Sequence, residues 1–85
     1  MRNVKDLIGV IMHVLDGAEI SEADVLDLEF EADGELLAAL NDAYIKLLEF
    51  AHDRERRMND RQLDQQARAT LQRVLDEIVR LSDAG

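Results

Sequence analysis

Leu36, Leu40, Ala43, Leu47 and Phe50 recur at alternating intervals of four and three, and Ala67, Leu71, Val74, Ile78 and Leu81 repeat the alternation further along. That spacing lines up apolar side chains along one edge of an α-helix, whereas the period of two in a strand would scatter them over both faces. The chain also has no proline to interrupt a helix, and the proline ring is the strongest local helix breaker. The two seams therefore predict two long helices facing each other as an antiparallel hairpin. Leu37, Tyr44 and Ala51 widen the first seam. Aromatics are scarce while Ala, Leu, Glu, Asp, Arg and Gln dominate, a mixture rich in helix formers and short of strand formers. The expected fold class is all-α.

A further helix is predicted near the start. Val4, Leu7, Ile8, Ile11, Val14, Leu15 and Ala18 form one wide apolar face. Asn3 can cap its beginning, Asp6 suits the positive end of its dipole, and Gly17 is placed to end it in a left-handed conformation. These signals give helix 1 over about residues 4–16 and helix 2 over about 34–57, with Asp33 as the N-cap of the latter. Helix 3 is expected over about 60–82. At its start Asn59 is the expected N-cap, Gln62 the reciprocal partner, and Met58 the apolar residue stapling back onto Leu63. One uninterrupted helix is the alternative, but the first seam carried forward would place Arg54, Arg61 and Arg68 at core positions. The expected architecture is thus a single domain over residues 1–85, with three helices and an acidic connector at 17–33.

The connector reads two ways. Ser21 followed by Asp24 resembles a weak cap, favouring a short helix from about Glu22, while Leu26, Leu28 and Phe30 alternate with Asp27, Glu29 and Glu31 as in a half-buried strand. A lone strand has no partner in a helical monomer, so a short helix or an extended connector is expected, pinned by its few apolar residues.

Charge is distributed unevenly along these elements. The net charge is −9, and residues 1–35 carry ten acids against Arg2 and Lys5 alone. Between Asp16 and Glu35 lie nine carboxylates and no Lys or Arg. A phosphate-backbone binder needs the opposite sign, so direct nucleic-acid binding is not expected. No apolar run approaches the roughly 18 residues of a membrane span, and no membrane partner is expected. Arg2 and Lys5 precede the apolar stretch Leu7 to Leu15 much as in a signal peptide, but Asp6 and His13 interrupt that pattern. The absence of cysteine removes disulfides, thiolate metal sites and thiol nucleophiles and suits a reducing compartment, so a cytoplasmic location is expected.

Chemistry-bearing motifs are weak. Glu29 to Leu40 is a near miss to an EF-hand calcium loop: Glu29, Glu31, Asp33, Gly34 and Leu36 fit loosely, but Leu40 stands where a bidentate Glu must bind. Glu49 and His52 have the i, i+3 spacing of di-iron bundles, yet Glu49 falls opposite Leu40 and Leu47 on a helical wheel, away from the core. No metal and no cofactor are expected. His13 has no serine or cysteine to activate. Ser21, Thr70 and Ser82 read as cap, helix flank and helix end, and the glycines make no phosphate cradle. An enzyme is therefore not expected. Arg54, Arg56, Arg57 and Arg61 lie among Asp53, Glu55, Asp60 and Asp64. They are expected either to complement the end of helix 2 and pair with acids one turn away, or to dock an acidic surface such as the Asp16 to Glu35 stretch of a second copy.

Eighty-five residues bury only about 60 to 65% of the unfolded surface, which makes self-association attractive. Val10, Met12, Leu37, Ile45, Leu48 and Val79 lie beyond the seams as an apolar surplus. The leading expectation is a non-enzymatic interaction module, a homodimeric adaptor or regulatory subunit with an unidentified protein partner. Its anchors would be Leu37, Tyr44, Ile45 and Leu48. The alternative is an inhibitor or immunity-type protein whose Glu22, Asp24, Asp27, Glu29 and Glu31 mask a basic nucleic-acid-binding site on another protein.

Overall fold

The structure, a computed structural model, describes residues 4–84, with side chains described for 4–82. The described residues form helices joined by short connections and contain no strand. The fold is all-α. The cap expected at Asn3 lies outside the described residues.

Helix α1 spans Val4–Leu15 and buries Leu7, Ile11 and Val14 on one stripe. Its end is set by Gly17, which adopts φ +109°, a conformation that side chains disfavour. The Gly17 amide donates to the Val14 carbonyl at 3.0 Å and the Ala18 amide to that of His13 at 3.3 Å. This is the paired bonding of a Schellman motif, which satisfies carbonyls the helix leaves open. The turn brings the start of the acidic stretch back beside α1, where Glu19, Ile20 and Asp24 border a depression with Gly9, Val10 and His13.

Helix α2 spans Glu22–Leu26. The Ser21 hydroxyl accepts from the Asp24 amide at 3.1 Å, satisfying one of the donors at the helix start. Of the two readings of this segment, the short helix is the one observed. It places Val25 in the core and leaves Leu26 outside, the reverse of the phase a strand through Leu26, Leu28 and Phe30 would need. Leu28 and Phe30 are half-buried, in chain without regular structure up to Asp33.

Helix α3 spans Gly34–His52 and buries Leu40, Ala43, Leu47, Phe50 and Ala51. Asp33 stands at its N-cap, but its side chain makes no capping bond. Gly34 enters at φ +62°, where a side chain would be strained. The seam does not continue to residue 57 as one helix. Asp53 takes ψ 14°, far from the helical value of about −42°, and a separate helix α4 follows over Arg54–Asn59. Helix α5 spans Arg61–Ala84 and buries Leu71, Leu75 and Ile78.

The cap of the last helix also differs from expectation. Asp60, not Asn59, caps α5: its carboxylate accepts from the Leu63 amide at 3.2 Å, while the Asn59 side chain donates back to the Glu55 carbonyl at 3.0 Å. Met58 is 71% exposed and forms no staple. A one-residue shift in the start of α5 turns both side chains away from the positions a capping box requires.

Helices α3 and α5 make the most extensive contact, α1 lies against both, α2 covers α3, and α4 lies against α5. Glu35 at the start of α3 acts electrostatically on Arg80 near the end of α5, and Phe50 shares a cleft with Leu63 and Ala67 at the start of α5. The two long helices thus run in opposite directions. One hydrophobic core joins α1, α2, α3 and α5.

Candidate interaction surface

The polar architecture begins where α3 stops. Arg57 on α4 is only 2% exposed, and its guanidinium lies over the Phe50 ring with 3.4 Å from Cζ to the centroid. Its Nε donates to the Phe50 carbonyl at 3.0 Å, one of the carbonyls the last turn of α3 leaves without an intrahelical partner. Nη2 donates to Glu19 Oε1 and Nη1 to Asp64 Oδ1, each at 2.8 Å. Arg68 on α5 completes the cluster, donating to Glu19 Oε2 at 2.9 Å and Asp64 Oδ2 at 3.0 Å. It also donates to the Val14 carbonyl, and its Cζ lies over the Phe50 ring, 5.1 Å from the centroid.

Two cations and two carboxylates therefore close a ring of bonds at the edge of the core, tying the α1 end, the connector, α3, α4 and α5 together. Delocalised, planar guanidinium groups suit this place because they stack on an aromatic face and bind carboxylates through two donors at once. The hydrogen bond from Arg57 holds the Glu19 carboxyl below its ordinary range, against a smaller opposing effect of burial. Burial pushes Asp64 upward, but the hydrogen bonds and charges of Arg57 and Arg68 together outweigh it and its carboxyl is also lowered. For Arg57 burial disfavours the charge, and the two carboxylates more than compensate.

The expected pairing of this basic run with acids one turn away is seen for Arg56 and Asp53, at 3.7 Å. Arg57 behaves differently. It takes an acid from the Asp16 to Glu35 stretch of its own chain, and Arg68 lies at the margin of the core, half-buried. The sequence sets Asp64 among the acids of the basic run without pairing it to Arg57, and it does not single out Glu19 or Arg68 as partners. The one available signal was the i, i+4 spacing of Asp64 and Arg68, together with the seven residues separating Arg57 from Asp64.

The other acids of the stretch point outward. Glu22, Asp24, Asp27, Glu29 and Glu31 are all exposed. Glu22 lies 3.1 Å from His52 Nδ1, bridging the first turn of α2 to the last turn of α3. His52 therefore faces Glu22 across the helix boundary. Among the described residues no group of three or more His, Cys, Asp or Glu is placed to hold a metal ion. No helix of the described residues is long and apolar enough to cross a membrane.

The four expected anchors on α3 have different surroundings. Tyr44 is half-buried and meets the Phe30 ring edge-on, with centroids 6.2 Å apart, so the connector of the same chain covers it. Leu37 is half-buried beside a depression lined by Phe30, Glu31, Ala32 and Asp33. Leu48 is half-buried against the core, and Ile45 is 51% exposed. Ile45 and Leu48 line an open groove with Glu22, Glu49, His52 and Asp53. Of the remaining apolar surplus, Val10 packs on the core, whereas Met12 and Val79 stay exposed.

The structure thus brings one acid of the expected patch, Glu22, to two of the expected anchors. Asp24 instead borders the depression between α1 and the connector with Gly9, Val10 and Ile20. Compared with known proteins, the chain matches no family model, no curated protein and no solved structure.

Proposed function

We propose that the protein is a non-enzymatic interaction module of the cytoplasm, an adaptor or regulatory subunit that pairs with itself and with a second protein. The observation that carries this reading is the Ile45 groove, where a half-exposed aliphatic side chain adjoins Leu48 inside a border of charged residues. An apolar centre within a polar rim is the usual anatomy of a recognition surface. Self-association would use Met12 on α1 and Val79 on α5, large apolar side chains left exposed on two helices that pack on each other.

Two measurements test the reading together. Ultracentrifugation should find a dimer that Val79→Asp dissociates, and capture from lysate should recover a partner that Ile45→Asp no longer retains. A chain that is monomeric at every concentration, and that captures the same proteins with or without Ile45→Asp, would reject the module.

A second reading is favoured by the outward acids. Because Arg57 and Arg68 are engaged with Glu19 and Asp64, they leave Glu22, Asp24, Glu29 and Glu31 unneutralised by the basic run. Such a surface could mask a basic nucleic-acid-binding site on another protein, with association accelerated by the field of the carboxylates. Neutralising those residues together should slow association and flatten its dependence on salt; an unchanged association rate at low salt would remove this reading.

A further inference from the structure

We infer that the Ile45 groove takes a basic amphipathic helix from a partner protein, with an aliphatic side chain against Ile45 and Leu48 and flanking Lys or Arg side chains on Glu22, Glu49 and Asp53. The inference rests on the reading of this groove as the recognition surface, and it specifies the chemistry of the occupant. Ile45 and Leu48 stand one turn apart on α3, so their side chains form a short apolar floor along the helix. The groove holds about 300 Å³, the lower limit of small-molecule sites at roughly 300 Å³. It is open, and suits one or two anchoring side chains better than an enclosed ligand.

The rim decides what can approach. Glu22 comes from α2 and Glu49 and Asp53 from the end of α3, giving three carboxylates around two aliphatic side chains. Lys46 and Arg57, which border Glu49 and Asp53 on another side, are paired with Asp42 and with Glu19 and Asp64. Glu22 has the His52 imidazole at 3.1 Å and Asp53 the exposed Arg56 at 3.7 Å. Exposed pairs of this kind contribute little, about 0.2–1 kcal/mol, and can exchange for an incoming Lys or Arg. Glu49 makes no ion pair among the described residues.

A second copy is a poor occupant. Two-fold pairing over this groove would set the same three carboxylates against themselves, in a chain of net charge −9, and like charges held together across an interface oppose binding strongly. An added strand is equally unsuited, because the described residues offer no sheet edge for it to join. A helix with apolar residues at i, i+3, i+4 and i+7 and basic residues elsewhere matches both the floor and the rim.

The test uses the full chain and a fluorescent synthetic helix made of Leu at those positions and Lys at the rest, read by anisotropy at low and moderate salt. A peptide of the same composition with the helical spacing scrambled is the control, and a Leu/Glu helix tests the sign of charge. Wild type should bind the Leu/Lys helix and not the Leu/Glu helix. Ile45→Ser should weaken binding at least about tenfold, the scale of one anchoring side chain. Glu22→Gln, Glu49→Gln and Asp53→Asn combined should weaken it several-fold at low salt and reduce the salt dependence. Circular dichroism checks that each variant remains folded.

Equal binding of the scrambled peptide, or undiminished binding by folded Ile45→Ser, overturns the inference by showing only attraction to an acidic chain. A wild type that ignores the Leu/Lys helix yet captures a partner in an Ile45-dependent way overturns the basic helix while leaving the module. A monomer with neither property overturns both.

Discussion

Glu19 and Glu22 stand three residues apart in the same acidic stretch, yet the structure gives them opposite surroundings. Glu19 receives Arg57 and Arg68 at 2.8 and 2.9 Å beside the Phe50 ring, whereas Glu22 has one exposed imidazole at 3.1 Å and open solvent. The difference comes from the turn at Gly17, which brings Glu19 back over the end of α1, while the Ser21 cap turns the following residues along α3. Local sequence charge is therefore a poor guide to what a carboxylate does. A charge at the margin of the core acts as a cross-link between elements; the same charge one helical turn later belongs to the surface.

The largest expected effect comes from breaking the buried side of this contrast. Arg57→Met removes the guanidinium while keeping an apolar stem over Phe50. It leaves the Phe50 carbonyl without its donor and places two carboxylates on Arg68 alone. Removing one partner of a buried pair commonly costs about 3 kcal/mol, and urea unfolding should show a loss of that order. Arg57→Lys should recover only part of it, because a single ammonium cannot serve Glu19, Asp64 and the carbonyl with the geometry of the guanidinium. Stability equal to wild type in Arg57→Met would reduce the cluster to a surface ornament.

Val25 supplies the apolar anchor of the same stretch, fully buried from a helix only five residues long. Val25→Ala removes two methyl groups from a packed site, which costs about 2 kcal/mol including the cavity. The loss should be partly local. Limited proteolysis should accelerate between residues 17 and 33 before the α3 and α5 helices unfold. Uniform acceleration across the chain would show that the connector and the helical hairpin unfold as one unit.

Glu19→Gln sharpens the contrast without changing shape. Hydrogen bonds to charged groups contribute about 1.5 kcal/mol at the lower end of their range, and that is the loss expected near neutral pH. The pH dependence has a definite sign. Glu19 and Asp64 are both lowered in the folded chain, so below roughly pH 4 the unfolded chain binds more protons than the folded one. Their contribution is complete above the ordinary carboxylate range and is lost as pH falls through the folded values. Wild type should therefore lose stability steeply on acidification, and Glu19→Gln should show a shallower acid limb. Parallel acid limbs would place the acid sensitivity elsewhere.

The two regions also differ in how far the sequence discloses them. The seams of α3 and α5 are plain because a period near 3.6 needs only apolar residues in register, and the turn at Gly17 and the cap at Ser21 follow from local chemistry. The break at Asp53 is weakly marked: neither proline nor glycine stands there, and Asp53, though a favoured N-cap residue type at the N-cap position of α4, makes no side-chain capping bond. It brings Arg57 over Phe50, a contact between residues seven apart that depends on the path of the chain. Carrying the first seam past residue 52 would place Arg54, Arg61 and Arg68 in the core, which argues for a new helix, and Arg54 and Arg61 are indeed exposed. Arg57, which that seam does not reach, and Arg68 stand at the core margin because Glu19, 38 residues before Arg57 in sequence, arrives to neutralise them. The Ile45 groove was half legible. Ile45 and Leu48 stood out as apolar surplus, but Glu22 reaches their rim only because α2 lies along α3, and Tyr44 leaves the set because Phe30 covers it.

The smallest expected effect is on the solvent side of the contrast, where it is most informative. Glu22→Gln, Asp24→Asn, Glu29→Gln and Glu31→Gln together remove four of the nine net negative charges from side chains that lie at the surface. The Ser21 cap survives, because its donor is the Asp24 backbone amide, and the core residue Val25 is untouched. Each substitution should change stability by no more than about 0.5 kcal/mol. Relief of repulsion should make the quadruple variant slightly more stable than wild type at low salt, offset in part by loss of the Glu22 partnership with His52. At high salt, where exposed charges are screened, the two chains should unfold together. A large loss of stability that persists in salt would mean that these carboxylates, like Glu19, hold the fold together; coincident curves in salt would leave their outward charge available to a partner.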